Sequence, residues 1–129
     1  MMPQRRNNPA AQRFADRRAR EDAAPKLLEQ VPTLASLRLD IEEQSGQGAT
    51  KHTRRVVLAN APALFIVPCG DPRCTDGEHD LTYTVMRALR AGEASFEGSD
   101  ECAGNLGPSV CLRVLRFGGA AEYRPRPVS

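Results

Sequence analysis

Four cysteines and a histidine are the residues of this sequence best suited to hold a metal ion. Their spacing is Cys69-x4-Cys74-x4-His79, then 22 residues, then Cys102-x8-Cys111. Thiolates and neutral imidazoles are the preferred ligands of zinc. Cys69, Cys74 and Cys102 stand among Gly, Asp and Pro, which build turns that leave sulfur atoms available. Cys111 lies between Val110 and Leu112, where a cysteine can also serve as a small buried hydrophobe. His79 precedes the start of an expected helix, where the dipole disfavours an imidazolium and favours a neutral, ligating ring. A structural zinc takes four ligands, so one of the five is surplus, either Cys111 or His79. The spacing matches no standard zinc-finger pattern.

Other chemistry finds little support. The sequence contains no GxSxG, HExxH, Walker A or GxGxxG motif. Cys69, in a Gly-containing turn at a strand end, is a conceivable nucleophile, but four clustered thiols point to ligation. The carboxylates Glu42-Glu43, Asp71 and Asp100-Glu101 read as solvated charges, and His52, beside Lys51 and Arg54, as a surface residue. A non-enzymatic protein is expected.

The elements that must bring these ligands together can be read from periodicity. Residues 36–43 alternate, with Leu37, Leu39 and Ile41 on one face and Arg38, Asp40 and Glu42 on the other, which predicts a half-buried strand. Residues 53–58 return as its hairpin partner across Ser45-Gly46-Gln47-Gly48. The run 64–67, apolar throughout, reads as a central strand covered on both faces. Leu81, Val85 and Leu89 recur at helical spacing over 80–91, with Asp80 as cap and Gly92 just past the end. A short strand at 95–97, another at 110–117, and a turn at Gly118-Gly119 followed by an edge segment near Tyr123 complete the pattern. The expected fold is α+β: a small mixed sheet of about five strands with a right-handed βαβ crossover from 64–67 through the helix to 95–97. All five candidate ligands then meet at one end of the sheet.

The order strand, Cys, Cys, helix, strand, Cys resembles that of thioredoxin-like ferredoxins, including Cys102-Ala103-Gly104 and Gly107-Pro108. That resemblance implies a [2Fe–2S] cluster and a redox role. The sequence departs from the pattern at Leu106, where those proteins carry a further cysteine.

Composition bounds the rest. With 129 residues, 40% hydrophobic, and no Trp, the chain suits one domain whose core rests on aliphatic side chains. A metal would staple such a core. The net charge is +2, but residues 1–20 hold Arg5, Arg6, Arg13, Arg17, Arg18 and Arg20 against Asp16 alone, which leaves −3 on the other 109 residues. This predicts a flexible basic arm over 1–25, helical in part over 10–24, a short helix over 26–31 within a domain spanning 26–123, and a disordered tail over 124–129. Such an arm suits nucleic acid or a nucleoprotein surface as partner, the alternative being an adaptor that docks on another protein. No apolar run approaches the roughly 20 residues of a membrane helix, and the N-terminal residues do not form a secretory signal. A cytoplasmic location, with reduced thiols, is expected.

Overall fold

The structure is a computed structural model that describes residues 9–45, 48–71, 73–74, 77–111 and 113–125. The alternation begun at Leu37 extends over β1, Leu34–Ser45, with one irregularity between Leu34 and Ser36. Leu34, Leu37, Leu39 and Ile41 are all buried. Around β1 a four-stranded antiparallel sheet is ordered β2-β1-β8-β5, with β2 at Gly48–Arg55, β5 at Ser95–Glu101 and β8 at Val114–Tyr123. One face packs on helix α3, Thr82–Arg90, through Val85, Met86 and Leu89. The opposite face carries Asp40, Lys51, Thr53, Glu97 and Arg116, all exposed. A sheet with one wet face is ordinary for antiparallel pairing.

Helix α3 ends as predicted, just before Gly92, but it starts later than predicted, with Leu81 at the N-cap and Asp80 one residue outside it. Asp80 Oδ1 accepts the Thr82 N–H at 3.0 Å. At the other end Gly92, at φ +72, donates to the Leu89 carbonyl while Glu93 donates to that of Ala88. This 5→2 and 6→1 pair is a Schellman cap, whose left-handed residue favours glycine.

The expected crossover is not found among the described residues. Strand β3, Ile66–Pro68, pairs antiparallel with β4, Glu78–Asp80, in a sheet of two, and β5 pairs antiparallel with β8. The run 64–67 is rich in buried residues because Phe65 and Val67 enter the core shared by the sheet and α3; among the described residues only β4 pairs with it, on one side. The glycines at 118 and 119 form no turn either. They lie inside β8, where Gly119 faces Phe96 and a Cβ would stand 2.1 Å from its ring. Gly98 on β5 likewise faces Phe117, whose ring would be 2.7 Å from a Cβ. Each phenylalanine thus covers the glycine opposite, a reciprocal packing that a larger residue would break.

Residues Pro9–Ala23 form helix α1, and Leu27–Gln30 a single turn, α2, with Leu27 fully buried. Two short strands, β6 at Asn105–Leu106 and β7 at Ser109–Val110, make a small hairpin between β5 and β8. Within the expected tail, Arg124 donates its N–H to the Thr33 carbonyl at 2.6 Å, and residues 126–129 lie outside the described residues.

Candidate metal centre

Two hairpins that project from the same end of the molecule carry the thiols. The first, β3–β4, holds Cys69 and Cys74 in its loop, which closes through Cys69 N–H to the Gly77 carbonyl at 3.0 Å and Cys74 N–H to the Asp71 carbonyl at 3.0 Å. The second, β5 to β8, holds Cys102 and Cys111. There Cys102 donates to the Arg113 carbonyl at 2.9 Å and Cys111 to that of Gly104 at 2.8 Å. Facing each other, the hairpins bring all four sulfurs within 4.8 Å of one another. The Cys69–Cys111 pair stands at 3.8 Å and the Cys74–Cys102 pair at 3.6 Å. None of the four is in a disulfide.

These edges can be compared with an ion's demands. Four sulfurs placed about 2.3 Å from a tetrahedral zinc lie about 3.8 Å from each other. A disulfide needs about 2.05 Å. A two-iron cluster would hold its thiolates as two pairs at opposite ends, and a single group this tight does not have that shape.

The backbone around the sulfurs is arranged for thiolates. The amide of Gly104 donates to Cys102 Sγ at 3.4 Å. Those of Asp71 and Arg113 stand in the same relation to Cys69 and Cys111, two residues further along in each case. Hydrogen bonds to the charged form favour it. Burial works against it and pushes the Cys69 thiol up to about 11 and Cys74 up as well. Cys111 comes out lowered, because the Arg113 amide and the neighbouring thiols outweigh its burial. A cation among the buried sulfurs would offset that cost.

Gly77 forms one wall of the cluster. A Cβ there would stand 2.4 Å from Cys74 Sγ, 2.8 Å from Cys102 Sγ and 2.8 Å from Cys69 Cβ. The need for glycine is steric, since the wall and the sulfurs touch.

His79 stands outside the group of thiols, while Cys111 stands within it. The imidazole is fully buried with Nδ1 2.9 Å from Asp100 Oδ2, and Nε2 has no hydrogen-bond partner. Its strand position explains this, because His79 pairs with Val67 and turns inward, toward the inward-facing Asp100 of β5.

Glu43 and Arg113 were not singled out as site residues in the sequence. Glu43 occupies the next inward position after Leu37, Leu39 and Ile41 and is 7% exposed. Both its oxygens accept the Gly70 N–H, at 3.0 and 3.1 Å, and Oε1 also accepts from Arg113. A Cβ on Gly70 would lie 2.8 Å from Glu43 Oε1, so glycine lets the carboxylate close over the backbone. The hydrogen bond to Glu43, with smaller help from the Cys69 and Asp71 charges, holds the Arg113 guanidinium above its usual range.

Among the described residues, the arginines expected to form a basic arm are divided between different surroundings. Arg5 and Arg6, and the side chain of Arg13, lie outside the described residues. Arg17 is half-buried, Arg18 pairs with Asp22 at 3.9 Å, and Arg20 is bonded to both Glu78 oxygens at 3.0 and 2.7 Å. Glu21 and Asp22 complete α1, whose net charge is only +1. No helix among the described residues is long and apolar enough to cross a membrane.

No family model, no curated protein and no solved structure matches this chain.

Proposed function

We propose that this chain is a small non-enzymatic binding domain stapled by one zinc ion, which Cys69, Cys74, Cys102 and Cys111 hold. The observation that carries the reading is the close group of four sulfurs, all within 4.8 Å, with the Cys74–Cys102 and Cys69–Cys111 pairs at 3.6 and 3.8 Å. Backbone amides donating to three of them add support. Four thiolates fill a tetrahedral shell and leave no position for a substrate, as in structural rather than catalytic zinc sites. An aliphatic core of this size gains from such a staple, because a site that exists only in the folded chain converts binding energy into folding energy.

Native mass spectrometry of the purified chain, paired with its visible absorption spectrum, tests the reading. One zinc per chain and a colourless solution are expected. Cys74→Ser and Cys102→Ser should lose the ion and melt at much lower temperature. Iron with charge-transfer bands would replace zinc by a redox metal, and a folded chain that binds no metal would end the proposal.

A further inference from the structure

Glu43 is a charged side chain at a position where the strand pattern calls for an apolar one. Burying a carboxylate is costly unless it is paired and hydrogen-bonded. What it touches explains its presence. Its oxygens hold the amide of Gly70, the residue after Cys69. They also hold the guanidinium of Arg113, whose amide donates to the Cys111 sulfur and whose carbonyl accepts from Cys102. One carboxylate on strand β1 therefore bonds the backbone beside Cys69 and the side chain of the residue whose backbone meets Cys102 and Cys111, and it links the two hairpins that carry them. Arg113 also keeps a buried Nε–H without a hydrogen-bond partner.

We propose that Glu43 and Arg113 are positioning residues of the metal centre: as one buried ion pair they fix the separation of the two ligand hairpins and so set how tightly the tetrathiolate site holds a divalent ion. This rests on the metal-site reading above. A pair that served only the fold would lower stability with and without metal alike and leave metal affinity unchanged. A positioning pair lowers affinity in particular. Outer partners of ligating groups commonly account for about ten- to a hundred-fold in metal affinity.

The test uses the full chain titrated with Co²⁺ in competition with a chelator, following the thiolate-to-cobalt and d–d bands, with circular dichroism at each point. Wild type should give a tetrathiolate spectrum at one cobalt per chain. Glu43→Gln keeps the shape and one acceptor but removes the charge; Arg113→Lys keeps the charge but loses the fork. Each should bind about ten- to a hundred-fold more weakly at unchanged stoichiometry. The double variant should be no weaker than the worse single one, because the two act as a unit. Unchanged affinity in both single variants, or penalties that simply multiply in the double variant, would overturn the proposal. So would variants that lose their sheet even with cobalt present, since that marks a purely structural pair. A wild-type protein that gives no thiolate–cobalt band would instead bring down the metal reading itself, a result distinct from any of these.

Discussion

The imidazole of His79 meets the carboxylate of Asp100 across 2.9 Å, and this contact joins the β3–β4 hairpin to strand β5 of the main sheet. His79 is fully buried, whereas Asp100 is partly exposed. Replacing His79 by Ala should remove a packed ring as well as the hydrogen bond, at a cost of about 2–4 kcal/mol. Asp100→Asn should cost less, about 1 kcal/mol. Denaturant unfolding measures both. Metal content should stay at one ion per chain in either variant. A folded His79→Ala protein that had lost its metal would place the ring within the site.

Gly77 offers a sharper steric test. Because an added methyl group would lie 2.4 Å from the Cys74 sulfur, Gly77→Ala should displace the thiol and reduce metal affinity severely. Gly107→Ala is the control. Gly107 sits at φ +61 with open space around it, so alanine there brings about 1 kcal/mol of backbone strain and no loss of metal. Chelator competition on the two variants separates crowding of the sulfurs from general loss of stability.

Metal affinity should rise with pH. Burial holds Cys69 up to about 11 and also raises Cys74, so without metal these thiols keep their protons at neutral pH and an incoming ion must displace them. Each proton released makes affinity change about tenfold per pH unit. Isothermal titration in buffers of different ionisation enthalpy counts those protons. The metal-free fold behaves in the opposite sense. A folded-state pKa above the unfolded value gives stability that is fully present below the unfolded pKa, near 8.5, and is lost as pH rises through about 11. The loaded protein should therefore fail in acid, and the metal-free one in alkali.

Helix α1 is tied to β4 by Arg20 and Glu78, both partly exposed. Arg20→Ala should change stability by no more than about 1 kcal/mol, yet proteolysis near residue 24 should become faster as the helix detaches. With Arg20 bonded to Glu78 and Arg18 to Asp22, any affinity of the arm for polyanions rests chiefly on Arg5, Arg6, Arg13 and Arg17. Deleting residues 1–17 should then abolish binding to a labelled duplex in low salt while metal content stays unchanged. Binding that survives the deletion would move the contact to the body.

Much of this architecture was legible because it depends on local periodicity. The alternation at Leu37, Leu39 and Ile41 defines β1, Leu81, Val85 and Leu89 define the buried stripe of α3, and the turn-rich surroundings of Cys69, Cys74 and Cys102 place the thiols at loop ends. Glu43 continued the same alternation inward, a signal its charge obscured. The crossover was misread because two-sided burial at 64–67 has a cause other than flanking strands. Gly118 and Gly119 resemble a turn until Phe96, more than twenty positions earlier, is known to lie across the second of them. Partners as remote as Glu43 and Arg113, or Gly77 and Cys102, leave no trace in spacing, because only the folded chain brings them together.

Every residue of the outer strand β2 is exposed, and among the described residues no strand pairs with its outer edge. Such an edge is a template for other strands, including those of a second copy of the chain. Lys51, Arg54 and Arg55 lie along it. Antiparallel pairing of two copies would set these cations against one another, so the edge discourages its own polymerisation without being covered. Exchanging the three for threonine should leave the fold intact and make light scattering climb with protein concentration.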